Sequence, residues 1–462
     1  MPSPGFLFVD GLHADRATKK RLRQHVMKGK NAGKKVLRRS RVAKSSVLKT
    51  PEPLEMISRG SFSLVAHLRR FGGTLHSMPF PAKITPASLQ VIDTFYSFVA
   101  NRVYPTYIDL SVCDARAMWL ELLFYDTGTF HCSIAMMAAS IEMLSKPGYA
   151  QYSQAALVHQ SRAYSIVNQR LRGPDNLTDS TIWIIILLIN QEQLNQRFDV
   201  AKIHTKGLER VVEMRGGLEQ LDHCRPLVLK LCKTDVMVAL QNGVPPMFYR
   251  DHFTQVCWKL QLEGLLLDTF TAASLLKLRG IHPVIAGLLR DIKSICILFN
   301  ENKDSSKMEM YDFLDMVTGF FYRLLRYRSI DCVEEAHITT DTLYHAGIIA
   351  FLMSLVLQSD GRRAVSYSAS CRYFKHMFEQ VDVDTVADAD ACLWSFIMGG
   401  IWLSVDKDVE WLSLKIKAVC KRLELQDWAD VSARMSKLLW FTPLHDNFGK
   451  SLWDNHITIS SA

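Results

Sequence analysis

From Ala87 onward, apolar side chains recur at the three- and four-residue spacing that lines one face of a helix, and polar or Gly/Pro breaks cut the pattern every ~15–25 residues. Ile203, Leu208, Val211 and Val212 are expected on one face of a helix that stops at Gly216-Gly217. Ile416, Val419, Cys420 and Leu423 repeat the pattern, as do Val431, Met435, Leu438 and Leu439. Breaks such as Lys146-Pro147-Gly148, Gly173-Pro174-Asp175-Asn176, Gly243-Val244-Pro245-Pro246 and Gly280-Ile281-His282-Pro283 divide the stretch into about twelve to eighteen helices. Alternating strand patterns are nearly absent, and no residue-level repeat of fixed period stands out. The expected fold is all-α, a large multi-helix array over residues 87–462.

The longest unbroken apolar run, Ile182 to Ile189, is eight residues, far below the roughly 20 that cross a bilayer. No membrane association is expected. Asp179-Ser180-Thr181 is placed to cap the helix containing this run, whose apolar residues all round imply burial at the centre of the array. The apolar stretch Phe6 to Val9 ends at Asp10, too short for a secretory signal. The ten cysteines are scattered singly with no CxxC pair, and most sit within apolar helical patterns. Reduced core thiols of a cytosolic or nuclear protein fit this better than bridges.

The net charge of +9 is unevenly placed: residues 1–50 hold 14 Lys and Arg against Asp10 and Asp15. From Arg16 to Lys44 there are 13 basic residues and no acidic one, so this stretch repels itself and has few apolar groups to bury. It reads as a disordered basic arm, followed by a Ser/Pro-rich linker over 51–86. Lys20-Arg21, then twelve residues, then Lys34-Lys35-Val36-Leu37-Arg38 has the spacing of a two-cluster nuclear import signal. The arm's candidate contacts to an import receptor, or to the phosphates of nucleic acid bound without sequence preference, are Lys19, Lys20, Arg21, Arg23, Lys34, Lys35, Arg38, Arg39 and Arg41. A plain solubilising tail is the blander reading. Gly29 to Lys35 is no phosphate loop: its glycines are one residue too close, and Lys35 stands where a hydroxyl would meet magnesium.

The usual catalytic constellations are missing. The sequence has no GxSxG elbow, HExxH pair, GxGxxG turn or kinase set, and no two of the 15 histidines lie four residues apart. His376 and Glu379 have the spacing of half a di-iron site, but a partly buried histidine beside a surface glutamate explains them more simply. Trp183, Trp258, Trp394, Trp402, Trp411, Trp428, Trp440 and Trp453 are expected in the core. No cofactor, metal site or catalytic residue is expected.

Between His159 and Phe248 the sequence stops being generic. His159-x3-Ala163-x3-Val167-Asn168-x2-Leu171, then Asp179 to Ile182, then Ile203-His204-x2-Gly207-Leu208-x2-Val211-Val212-x2-Arg215-Gly216-Gly217-Leu218 resembles the fungal-specific transcription factor domain, in its tachykinin-family branch. The closing block agrees: Leu393-Trp394, Trp411, Leu425-x2-Trp428-x2-Val431 and Leu438-Leu439-Trp440-x5-Asp446-x2-Gly449-x2-Leu452-Trp453 resemble the last helices of that family. Phe6 to Asp10 and His25-Val26-Met27 resemble its N-terminal tag. The resemblance implies a nuclear helical regulatory module that handles dimerisation, with itself or a related chain, effector response or activation. The six-cysteine zinc cluster with which such proteins grip DNA needs paired Cys-x2-Cys motifs, which this sequence lacks.

Two functional readings therefore stand: a transcription-regulator-like protein without a zinc cluster, or a helical scaffold that keeps the fold and binds neither DNA nor effector. For the motif residues His204, Gly207, Arg215, Gly216, Gly217, Trp440, Asp446 and Trp453 a structural role is expected. Arg215-Gly216-Gly217 reads first as a helix cap.

Overall fold

A computed structural model describes residues 78–99, 112–145, 154–263, 278–301, 308–331, 338–359, 362–363, 365–404 and 409–457. The chain divides into two units, Met1–Met56 and Ile57–Ala462, and all described residues belong to the second. The basic segment and its expected contact residues lie outside them, as does the linker up to residue 77.

Among the described residues the fold is all-α, with sixteen α-helices. Its one strand pair, Gln358–Ser359 with Arg362–Arg363, is two residues long on each side. The chain enters through Phe80, which stacks on Phe124 at 4.7 Å, and α1 (Pro86–Thr94) starts with proline in its first turn and Thr85 as its cap. Then follow α2 (Val112–Tyr125), α3 (Thr127–Ser145), α4 (Gln154–Leu171), α5 (Asp179–Leu194) and α6 (Phe198–Met214).

Helix α5 is buried from Asp179 to Gln193, as its all-round apolar sequence demands. Its cap lies one residue earlier than expected: the Thr178 hydroxyl accepts from the Thr181 N–H at 3.3 Å, leaving Asp179 as the first helical residue. Helix α6 ends at the expected glycines, with Gly216 at φ 101° and Gly217 at φ 100°. The Gly217 N–H returns to the Val212 carbonyl and the Gly216 N–H to that of Glu213, both at 2.9 Å, the paired bonds of a Schellman ending. A side chain at either position would meet the left-handed backbone penalty.

Beyond them run α7 (Arg225–Asn242), α8 (Phe253–Leu262), α9 (Pro283–Glu301), α10 (Met310–Tyr327), α11 (Thr340–Val356), α12 (Ser368–Glu379), α13 (Ala389–Leu403), α14 (Glu410–Arg422), α15 (Trp428–Met435) and α16 (Thr442–Leu452). Helices α11 and α13 form a second buried pair. They cross closely because Gly347 has no side chain: a Cβ there would sit 2.4 Å from the Trp394 ring. Trp394 is fully buried and donates its indole N–H to the Leu439 carbonyl at 2.7 Å, so one large side chain joins the pair to the C-terminal helices.

Two sequence expectations need correction. Ile203 is 68% exposed; it lies five residues from Leu208, about 140° around the helix, on the opposite side. Trp258 is 69% exposed, because Phe253, Val256, Cys257 and Leu260 take the inner face of α8 and leave it outside. Before α13, Asp388 caps the helix by accepting from the Asp390 and Ala391 N–H groups, and Asp390 pairs with Arg434. The other expected core tryptophans are buried or partly so.

Candidate functional site

Helices α4, α5 and α6 carry the motif residues and converge on one carboxylate. Glu192, in the last turn of buried α5, has no exposed surface, yet all its needs are met. The Tyr164 hydroxyl donates to Oε1 at 2.5 Å and the Gln160 amide donates at 2.9 Å, both from one face of α4. Arg197, just past the end of α5, donates Nε to Oε2 at 2.5 Å and Nη2 to Oε1 at 2.6 Å. The bidentate fork and two neutral donors keep a buried charge tolerable. His204 of α6 lies with Nε2 3.4 Å from the Tyr164 oxygen, their rings 5.6 Å apart. Burial, aided by the Arg197 charge, lowers its pKa against the pull of Glu192.

Deeper along α4, His159 Nδ1 is 2.8 Å from His131 Nδ1 of α3, and its Nε2 is 3.0 Å from the Ser88 hydroxyl of α1. One ring must donate and the other accept, so both cannot be cations. Burial, then the neighbouring His131 charge, brings His159 down to about 4.

Arg215 is more than a cap. Its Nη1 donates to the Leu177 carbonyl at 2.8 Å and its Nη2 lies 2.5 Å from Asp179 Oδ1, so the end of α6 is fastened to the start of α5. Asp179 takes His223 Nε2 on its other oxygen at 2.8 Å. The closing block behaves likewise. Trp440 donates its indole N–H to Asp446 at 2.6 Å, while Trp428 packs against both Trp440 and Trp453 at 6.2 Å. Gly449 leaves room for Trp428: a Cβ there would come within 2.4 Å of its ring. Gly207, by contrast, lies on the outer face of α6 with nothing within 4 Å of where a Cβ would be.

Several groups escaped sequence reasoning. Asp235 of α7 accepts from the Met247 and Phe248 N–H groups and from the Tyr322 hydroxyl, at 2.9–3.0 Å. Burial pushes it up to about 6 against those bonds. Asp312 and Asp315 of α10 gather Arg225, Arg250 and Lys259. His376 lies beside the Gln380 amide, 2.6 Å away, and among the described residues no three metal-ligating side chains stand together. The buried cysteines Cys132, Cys232, Cys257, Cys296, Cys392 and Cys420 are unbridged, their thiol pKa values raised by burial. An apolar cavity of about 20 Å³ between α9, α10 and α11, lined by Phe299, Phe313, Phe351 and Phe441 among others, has room for about one water but gives it no polar partner. It is a packing void.

Lys230 and Lys233 sit one turn apart on α7. Lys230 lies 5.3 Å from the Trp119 ring centre and Lys233 is 3.4 Å from the Val356 carbonyl, and among the described residues no ion pair holds either. Burial, then the charge of Lys233, brings Lys230 to about 7, and burial brings Lys233 to about 8. Both values are lower than in the unfolded chain, which therefore binds more protons between pH 8 and 10, and stability is expected to rise with pH across that window. Lys233→Met is expected to raise urea resistance at pH 7 by about 1–2 kcal/mol and to flatten that rise. Urea titrations at pH 7, 8 and 10 would reveal it; a less stable variant would mean the ammonium is well solvated.

No protein-family model, curated protein or solved structure matches this chain.

Proposed function

We propose that the chain is a transcription-regulator-like protein of the fungal-specific transcription factor type, a helical regulatory module that acts in the nucleus without a zinc cluster or a catalytic site. The supporting observation is that the residues carrying the resemblance work as pairs in space. Arg215 reaches back to Asp179, and Trp440 to Asp446, with Gly449 seating Trp428 between Trp440 and Trp453. Interlocking contacts between motif residues are what a shared fold would require, while Ile203 and Gly207 of the same motif lie on the surface and add nothing to that support. In this reading the basic segment 1–50 supplies nuclear import through Lys20-Arg21 and Lys34-Lys35-x2-Arg38, or holds phosphates electrostatically. A homo- or heterodimer is the expected working form.

The test is transcriptional. Fused to a heterologous sequence-specific DNA-binding domain, the full chain is expected to change expression of a matched reporter several-fold in fungal cells. Alanine in either basic cluster is expected to leave a reporter fusion of residues 1–50 in the cytoplasm. Unchanged transcription by a nuclear fusion protein would remove the regulatory reading and leave a helical scaffold.

A further inference from the structure

The segment leading into α1 presents an exposed hydroxyl in a conformation ready for modification. Thr85 has an extended backbone, at φ −103° and ψ 160°, and is followed by Pro86, which is also exposed. A proline-directed protein kinase takes its substrate as an extended chain and selects a residue without an N–H after the acceptor, so Thr85-Pro86 already holds the form that such a cleft requires. Thr442-Pro443 shares the dipeptide but not the form. Thr442 is the first residue of α16 and follows the buried Trp440 and Phe441.

The surroundings of the Thr85 hydroxyl suit a phosphate. Its oxygen accepts from the Ser88 N–H at 3.1 Å and lies 2.8 Å from the Ser88 hydroxyl, whose oxygen is 3.0 Å from His159 Nε2. The first turn of α1 has no acid and forms the positive end of the helix. Arg162, one turn after His159 on α4, is exposed and acts electrostatically on both His159 and His131. Among the described residues no ion pair holds Arg162, and Lys83 is likewise exposed before Thr85. Helix α4 contains no acidic residue, and the acids of α1 and α3, Asp93 and Glu142, lie near the far ends of those helices. Asp126, just before α3, is paired with Arg170.

The geometry points to Thr85 as a phosphorylation site, its phosphate seated at the N-terminus of α1 between Ser88 and Arg162. The γ-phosphoryl group of ATP passes to Thr85 Oγ1. An O–P bond forms there as the bond to the β,γ-bridging oxygen breaks; ADP leaves with that electron pair, and the threonine proton goes to the kinase's catalytic carboxylate. The phosphate then accepts from the Ser88 N–H and hydroxyl and pairs with the free guanidinium. Once Ser88 donates outward, its oxygen accepts from His159 Nε2–H, and the bare His159 Nδ1 accepts from His131. A change at the surface thus fixes the protons of the buried imidazole pair. The site does not depend on the regulatory reading.

The full chain is incubated with a proline-directed serine/threonine kinase and ATP, and modified residues are located by tandem mass spectrometry. Thr85 is expected to be phosphorylated while Thr442 stays unmodified. Pro86→Ala, which leaves the acceptor in place, is expected to slow modification of Thr85 at least tenfold; circular dichroism melting would verify its folding. In the modified chain, phosphorus NMR is expected to place the second phosphate ionisation below its usual value of about 6, and Arg162→Ala to raise it by about half a unit or more. Nitrogen NMR at neutral pH is expected to find the His159 proton on Nε2. An unmodified Thr85 in the folded chain would overturn the proposal, even where the same kinase modifies a peptide of residues 79–91. So would a rate untouched by Pro86→Ala, or a phosphate ionisation that Arg162→Ala leaves in place.

Discussion

Replacing Glu192 by leucine is expected to destabilise the helical unit by about 2–4 kcal/mol, because the carboxylate that accepts from Gln160, Tyr164 and Arg197 is lost from a buried position. Gln160 and Tyr164 would lose the acceptor that ties α4 to α5, and Arg197 the bidentate contact to it. Leucine nearly conserves volume, so little of the loss comes from packing. Glu192→Gln is expected to cost less, since its carbonyl oxygen still accepts from Tyr164 while its amide meets the Arg197 guanidinium unfavourably. The measurement is a urea titration followed by circular dichroism at neutral pH. If Glu192→Leu were as stable as the natural chain, the pair would be balanced by its own desolvation cost, as some buried ion pairs are.

The same carboxylate shows what a sequence can and cannot disclose. Helix α5 was legible because apolar residues fill its whole circumference. Its polar tail, Gln191-Glu192-Gln193, looks like an end reaching into water, but all three side chains are buried. Nothing local signals that Gln160 and Tyr164, four residues apart on another helix, will face it. Periodicity reports which side of a helix is apolar, not which helix lies opposite. The histidines make the same point. None shares a helix turn with another, so none reads as a pair, while His131 and His159 meet from 28 residues apart.

Where the signal was local, it carried through. Gly216-Gly217 marks the end of α6 because only a residue tolerant of positive φ closes a helix that way. Ile203 departs from expectation because its five-residue offset from Leu208 turns it about 140° away from the buried face. Trp258 departs from expectation because residue type alone suggests burial, while its place on α8 falls outside the face formed by Phe253, Val256, Cys257 and Leu260. Both are exposed apolar side chains. The basic segment lies outside the described residues, so its import signal rests on spacing and charge alone.

Between pH 6 and 4 the helical unit is expected to lose stability steeply, by about 5 kcal/mol in total. Burial holds His445 at about 3 and both His345 and His159 at about 4, against 6.5 in the unfolded chain. Their hydrogen bonds explain why the neutral form is kept. His445 Nδ1 accepts from the Phe441 N–H at 3.0 Å, so its Nε2 carries the proton toward Ser354 at 2.9 Å. His345 Nε2 faces the Leu324 carbonyl at 3.2 Å and must donate, leaving Nδ1 to accept from the Tyr373 hydroxyl at 2.8 Å. Protonating either ring would turn an acceptor into a donor facing another donor. A depressed folded-state value means that the unfolded chain takes up the protons first, so stability falls as pH drops below about 6.5. Asp235 works in the opposite direction. Its folded-state value, raised to about 6, means that the folded chain binds the extra proton between about 4 and 6. Among these four groups, three protons favouring unfolding against one favouring folding leaves a net of two, or about 3 kcal/mol per pH unit; His131 and His204, also lowered by burial, act in the same direction, and Asp291, raised by burial, against it. His345→Gln keeps one donor and one acceptor at the same place without a titrating ring, and is expected to remove about half of that net slope. Urea midpoints at pH 6.5, 5.5 and 4.5 would measure both. A flat profile would show that the three imidazoles take up protons inside the folded chain as readily as in water.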